Sequence, residues 1–430
     1  MMTPMKKGIF LITTLSGCVS LVAGIDLRPV FPEGSNGVFV EDQNASFAFE
    51  LKNQKEDPVE VGFYWQVASD KGDKVSRTSL STIRVAGGEE RIVRYVTKVP
   101  AAGFYKGTIF CRWGEKEVSR TVQVGYAPEK LKPPLTRESD FELFWRNSLR
   151  SLRKVDPEYR LMKQPALSMG QLDVYEVQMR SHGKVRVKGW YEVPKTPGPH
   201  PVLLRVPGYG SNMRPISRFS DMIVFSFNPR GHGNSQDDVK GQPRNFWVRG
   251  LDHNEGYYYQ GAYLDCVRAV DFLCSRKEVD TSRIAVKGGS QGGGLSFVTA
   301  GLDQRISLCV PHIPFMACWP LYFKTSQWPE MDEWIAARES RSWKKTLKTM
   351  SYFDSMNMAS WIKCPVFMGV GLQDAICPPA TNFAVYNRLT GPREVRVYPL
   401  NKHSVPSEFH VEAFAWIRKN FGLPVPGGKD

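Results

Sequence analysis

The chain has 430 residues, 42% of them hydrophobic and 23% charged, a balance that suits folded units and argues against extended disorder. Single cores stop growing at roughly 250–300 residues, so this length predicts two. The formal net charge is +14, but the basic residues are scattered and carry no nucleic-acid motif; a nucleic-acid partner is not expected, while attraction to acidic polysaccharide stays open.

Residues 1–24 read as an export signal. Lys6 and Lys7 precede an apolar run over 9–15 that resumes after Ser16, Gly17 and Cys18, too short and wrongly flanked for a permanent membrane span. Two processing points compete. Leu15-Ser16-Gly17-Cys18 resembles a lipobox and would leave a lipid anchor on Cys18, whereas Val22-Ala23-Gly24 offers the small residues of an ordinary cleavage site, and the apolar continuation after Cys18 favours the latter. The expectation is an exported protein, periplasmic or secreted, with outer-membrane lipid anchoring as the alternative and no other stretch able to span a bilayer. No cysteine beyond the signal falls in C-x-x-C spacing, and Cys266, Cys274, Cys309 and Cys364 lie in apolar stretches, so buried free thiols are expected rather than a disulfide framework.

Over 25–126, short runs such as Ser46-Phe47-Ala48-Phe49-Glu50-Leu51 and Arg91-Ile92-Val93-Arg94-Tyr95-Val96 alternate with period two between turn residues, which predicts an immunoglobulin-like β-sandwich domain. It carries no evident chemistry. A packing role is expected, with sugar binding by an exposed Trp65 or Trp113 as the alternative. A linker is expected over 127–136, Lys/Pro-rich to 134. Ser139-Asp140-Phe141-Glu142 then reads as a capping box that opens a helix running to Leu152.

The second domain is expected over 137–423, with a tail at 424–430. Strands are predicted at 185–193, 201–206, 222–227, 283–287, 306–310, 365–370 and 394–399, and helices at 260–275, 291–301, 379–389 and 406–420. This alternation predicts an α/β fold with a mostly parallel central sheet covered on both faces, whose ligands bind beyond the carboxyl ends of the strands.

Gly288-Gly289-Ser290-Gln291-Gly292 is a G-x-S-x-G motif set between a predicted strand and a predicted helix, the context required of an α/β-hydrolase nucleophile elbow. The turn is so tight that glycines must flank the serine while its hydroxyl is pushed above the sheet. The serine needs a base, and in this fold the chain order is Ser, acid, His. His403 lies in a loop between a strand and the final helix, where it can lean over the strand ends; His410 falls inside that helix. Asp374 follows the strand over 366–370 at the same sheet edge, while Asp354 and Asp332 lie in an irregular or helical excursion before it. Ser290, Asp374 and His403 are therefore the expected catalytic residues, with the backbone amides of Gln291 and Tyr209 as oxyanion donors. No metal or organic cofactor is called for.

Asn228-Pro229-Arg230-Gly231-His232-Gly233, Tyr257-Tyr258-Tyr259-Gln260-Gly261, Asp265-Cys266-Val267-Arg268-Ala269-Val270-Asp271 and the stretch from Glu278 through Gly293 resemble, in order, the acetyl xylan esterase and cephalosporin-C deacetylase family of carbohydrate esterases, over roughly 135–422. The resemblance implies an α/β-hydrolase fold, a homo-oligomer, an acetylated carbohydrate substrate, and triad and oxyanion roles for the five residues named above. The sequence departs from the family at Pro207, where histidine is usual, at His232, in place of glutamine, and at Ser404, in place of glutamate. Arg230, His232, Tyr257 and Trp319 are the candidate substrate contacts; Arg230 reads first as the anchor of a turn, the tyrosines at 257–259 line the cleft or simply pack, and Trp319, Trp328, Trp334 and Trp343 lie in a segment over 315–361 that can cap the site or simply pack. The expected function is removal of O-acetyl groups from a polysaccharide of xylan type, against two alternatives: a peptidase or broad carboxylesterase with the same triad, and a silent glycan-binding module.

Overall fold

The computed structural model describes residues 24–239, 243–326 and 328–425; the export signal, Cys18 included, lies outside them apart from Gly24. The N-terminal strands are β1 (Ile25–Pro29), β2 (Val38–Phe39), β3 (Ala45–Asn53), β4 (Val59–Ser69), β5 (Lys74–Arg77), β6 (Ser81–Val85), β7 (Glu90–Thr97), β8 (Gly103–Trp113) and β9 (Lys116–Tyr126). They form two sheets, one of order β1-β3-β7 and one of order β2-β9-β8-β4-β5 with β6 beside β4. Phe47, Phe49 and Leu51 of β3 meet Trp65, Ile109, Val122 and Val124 of the other sheet in one buried cluster, the product of period-two alternation on each strand. Trp65 and Trp113 belong to that core, with 2% and 7% of their surface exposed. This corrects the alternative that either serves as an exposed sugar platform.

The rest of the described chain runs α1 (Phe141–Arg153), β10 (Arg160–Lys163), β11 (Leu172–Arg180), β12 (Arg186–Pro194), β13 (His200–Arg205), β14 (Ile223–Asn228), α2 (Tyr258–Cys274), β15 (Val279–Gly289), α3 (Gln291–Leu302), β16 (Leu308–His312), α4 (Trp319–Thr325), α5 (Pro329–Ala336), α6 (Trp343–Ser351), α7 (Ser355–Met358), β17 (Val366–Gly371), α8 (Pro379–Tyr386), β18 (Arg393–Tyr398) and α9 (Ser407–Asn420). Nine strands form one sheet in the order β10-β11-β12-β14-β13-β15-β16-β17-β18. From β14 to β18 every neighbouring pair is parallel, while β10, β11 and β12 add an antiparallel edge. The central strands are near-continuous apolar runs, as burial on both faces demands. This is the α/β-hydrolase fold.

The expected capping box does not form. Asp140 is the N-cap of α1 but its side chain bonds no helix amide; it accepts instead from the Tyr352 hydroxyl. Nor is the segment after β9 slack. Asn387 donates through Nδ2 to the carbonyls of Pro128 and Leu131, each at 2.8 Å, and Arg388 donates to Pro133. Arg137 donates to Asn357 at 2.6 Å and packs its guanidinium over Phe141 and Trp361. All seven described cysteines are free thiols.

Candidate active site

The end of β15 and the start of α3 fix Ser290 at φ 56° and ψ −121°, a strained conformation for a side-chain-bearing residue. The turn tolerates it because its neighbours lack side chains: a Cβ at Gly289 would come within 2.3 Å of the His312 ring, and one at Gly292 within 2.5 Å of the Val206 carbonyl. The Ser290 amide donates to His312 at 3.0 Å, and its carbonyl accepts from Phe315 at 2.9 Å, so strand β16 and the start of the 315–361 segment both brace the turn.

Two loops bring the partners. His403, after β18, places Nε2 3.0 Å from Ser290 Oγ and Nδ1 2.8 Å from Asp374 Oδ2. Asp374, after β17, accepts through Oδ1 from the amides of Ile376 and Cys377 at 2.8 and 2.9 Å. Held in place by those donors, the carboxylate selects the tautomer with Nδ1–H, leaving Nε2 free to take the serine proton. The side chain of Asp374 is 1% exposed and that of His403 24%, so of the pair the imidazole is the one that reaches solvent. Cys377 contributes a third ligand-type atom within 4.8 Å of the other two, but burial drives its thiol far above the usual range and it keeps its proton. With Asp374 and His403 already bonded to each other, the trio suits proton relay rather than metal binding.

The competing candidates lie elsewhere. Asp354 is fully buried and accepts from the amides of Cys318, Trp319 and Met356 at 2.8 to 3.0 Å, where burial pushes its carboxyl up to about 6; it anchors the start of α4. Asp332 is exposed on α5, and His410 bonds Lys287 at 3.2 Å.

Gln291 opens α3, where backbone amides and the helix dipole favour a developing anion. The Gly208-Tyr209 turn lies against the elbow, since a Cβ at Gly208 would be 3.5 Å from the Gly289 carbonyl and 4.0 Å from Ser290 Cβ. The Gln291 side chain is tied down behind it. Its Oε1 accepts from the Tyr259 hydroxyl at 2.9 Å, and its Nε2 donates to His232 Nε2 at 3.1 Å. His232 then donates through Nδ1 to the Tyr258 hydroxyl at 3.2 Å, which donates to the Arg230 carbonyl at 2.8 Å. Burial lowers His232 to about 4, consistent with a neutral ring in this chain.

The candidate substrate contacts turn out to be committed to neighbours. Arg230 pairs with Asp265 through Nε and Nη2, both at 2.8 Å, His232 is wholly buried, Tyr257 donates to the Trp247 carbonyl at 2.7 Å, and Trp319 is 2% exposed against Phe315 and Phe323. Arg230 and Tyr257 thus bond protein groups, and His232 and Trp319 are buried, Trp319 with its indole nitrogen unpartnered.

Two residues that sequence reasoning passed over join the site to the β-sandwich. Gln123 of β9 donates its amide N–H to Gln373 Oε1 at 2.8 Å, and Gln373 Nε2 donates back to the Gln123 carbonyl at 3.0 Å. Gln123 Nε2 also donates to the Leu372 carbonyl at 2.7 Å, and Gln373 Nε2 to Pro399 at 2.6 Å. The clasp thus grips the loop that carries Asp374 and the loop that leads to His403. Neither glutamine belongs to a motif, and their separation of 250 positions leaves no local signal.

Comparison with known proteins agrees with this geometry. Residues 127–420 match the family model described as acetyl xylan esterase (AXE1). Acetyl esterase Axe7A of Xylanibacter ruminicola is 30% identical over 314 residues, which span 69% of this chain and 71% of that protein. Among solved structures, the acetyl xylan esterase from Paenibacillus sp. R4 is 36% identical with a TM-score of 0.64, over 68% of this chain and 98% of its own. Acetyl xylan esterase 1 from Thermoanaerobacterium sp. JW/SL YS485 is 28% identical with a TM-score of 0.62, over 68% of this chain and 97% of its own. The chain belongs to the acetyl xylan esterase family and is a serine esterase.

Proposed function

We propose that Ser290, His403 and Asp374 carry a two-step removal of O-acetyl groups from acetylated poly- or oligosaccharides of xylan type. His403 takes the Ser290 proton as Oγ attacks the acetyl carbonyl, then gives it to the departing sugar oxygen, leaving an acetyl-enzyme. Water deprotonated by the same imidazole attacks that ester and acetate leaves. The amides of Gln291 and Tyr209 hold the oxyanion in both steps, and the loss of one such donor costs about 3 to 4 kcal/mol of transition-state stabilisation. The observation that carries this reading is the unbroken relay from Asp374 through His403 to the Ser290 hydroxyl.

The division of labour follows the chain. Residues 137–423 form the catalytic domain, joined through 127–136 to a β-sandwich domain at 25–126. The basic, apolar leader at 1–24 supports export to the periplasm or beyond, with Cys18 available for a lipid anchor if the lipobox is read; the family resemblance supports a homo-oligomer.

Acetate release from a panel of acetylated oligosaccharides tests the reading, with 4-nitrophenyl acetate and butyrate as chain-length probes. Acetate should be released from sugars, butyrate should react far more slowly, and Ser290→Ala should lower kcat by at least about 10⁴-fold. A protein that cuts peptides or long acyl esters and releases no acetate from sugars is a different enzyme.

A further inference from the structure

The turn at Ser290 leans on the chain that leaves β16. Between His312 and Trp319 that chain takes three left-handed steps without glycine, Ile313 at φ 40°, Met316 at 63° and Cys318 at 48°. Residues with side chains, and a β-branched one above all, hold such conformations only under constraint. Contact with the turn is continuous along this path. Besides the backbone bonds of Ser290 with His312 and Phe315, a Cβ at Gly293 would lie 2.8 Å from Pro314 Cα, and one at Gly294 2.3 Å from the Phe315 carbonyl oxygen. The first turn of α3 therefore stands where residues 312–315 put it.

Each strained step is pinned from outside. The Ile313 amide donates to the Gly369 carbonyl of β17 at 2.7 Å, and the Met316 carbonyl accepts from the Ser355 amide at 2.9 Å and hydroxyl at 2.8 Å. The Cys318 amide donates to Asp354 Oδ1, which also accepts from Met356, while Oδ2 accepts from Trp319. No basic side chain pairs with Asp354 among the described residues; three backbone amides alone meet its carboxylate. A helix cap needs one acceptor oxygen, which serine, threonine or asparagine supplies without burying a charge. Three amides converging on two oxygens need a group with no hydrogen of its own, and only an ionised carboxylate is that.

We propose that Asp354 is a positioning residue for Ser290. By gripping the amides of Cys318 and Trp319, with Ser355 beside it on Met316, it keeps the strained 313–318 segment in place, and that segment keeps the Ser290 hydroxyl on His403 Nε2. The inference rests on the reading of Ser290 as the nucleophile. Asp354 acts wholly through backbone, at one remove from the reacting atoms. Asparagine at this position would keep one acceptor oxygen but turn an N–H2 towards an amide it has to bond, so one of the three bonds is lost and the segment relaxes away from the turn.

The test uses Asp354→Asn and Ser355→Ala in the full chain, with 4-nitrophenyl acetate as substrate and diisopropyl fluorophosphate as a covalent label, the labelled residue identified by peptide mapping. Dividing kcat by the labelled fraction of Ser290 counts folded sites only, so loss of stability alone drops out. Asp354→Asn should lower kcat per labelled site at least about tenfold with KM within about twofold of the unmodified protein, and Ser355→Ala, which leaves Met316 its amide donor, should lower it about threefold. A value per site equal to that of the unmodified protein in Asp354→Asn makes the carboxylate a helix cap alone and overturns the proposal. If Asp354→Asn yields no folded protein, Ser355→Ala decides by the same rule. Should the label settle on another residue of the unmodified protein and leave Ser290 free, the nucleophile reading falls and takes this one with it.

Discussion

At the scale of single residues, His232 shows how one ring orders the ground behind the proposed oxyanion donors. It accepts from Gln291 through one nitrogen and donates to Tyr258 through the other, an arrangement open only to the neutral form; protonation would set two donors against each other at Gln291. The free imidazole value of 6.5 falls to about 4 in the fold, so the unfolded chain binds the proton more readily. The sign follows from linkage: His232 contributes stability in full above pH 6.5, and loses it progressively as pH falls towards 4, to the extent of about 3 kcal/mol. His232→Gln keeps an acceptor for Gln291 but cannot titrate, so urea unfolding of the variant should depend less steeply on pH between 6.5 and 4 than that of the unmodified protein. His312 and His410, also held neutral by burial, titrate alike in both proteins and cancel from the comparison. The departure from the family glutamine was visible in the sequence; its bonding to Gln291 was not, because residues 232 and 291 meet only once the sheet has assembled.

Among elements, the clasp between β9 and the loop after β17 does what a catalytic loop needs, since a carboxylate must hold its imidazole within a few tenths of an ångström to act in the relay. Gln373→Ala removes the amide that bonds Gln123 and Pro399 together and leaves their carbonyls short of a partner. It should destabilise the protein by about 1–3 kcal/mol, and should lower kcat about tenfold by loosening Asp374 and His403, with KM for 4-nitrophenyl acetate little changed; steady-state kinetics beside a thermal melt separate the two effects. Gln373→Glu, which keeps the acceptor for the Gln123 amide but loses the donor, should fall between. Much of the frame for this loop was legible beforehand. The predicted strands at 365–370 and 394–399 correspond to Val366–Gly371 and Arg393–Tyr398, and the elbow at Ser290 joins a strand to a helix as its glycines require. What escaped were β10 and the antiparallel joining of β11 and β12 to the sheet edge, where half-exposed alternation looks like any surface strand, and the capping box at Asp140, where Tyr352 from a distant helix end outcompetes a local amide.

For the molecule as a whole, the β-sandwich and the catalytic sheet have separate cores but a shared border. Phe104 of β8 is counted with the larger core and lies 5.6 Å from Phe383 of α8, ring to ring, while the segment after β9 is bonded at Pro128, Leu131 and Pro133 to Asn387 and Arg388. A chain beginning at residue 127 would expose Phe383 and strip the clasp from the acid loop. It should give little soluble esterase, and calorimetry of the full protein should show one cooperative transition rather than two separated ones; a well-folded, fully active truncation would mean that the border is incidental. Two cores could be inferred from length and period, but their fusion could not, because it is written in single side chains scattered between positions 104 and 388. The free cysteines carry a last implication. With no bridge among the described residues, the two halves are held together by the backbone that links them and by noncovalent contacts, so their docking can form, open and form again without an oxidant, and a reductant in the surroundings has no rivet to undo.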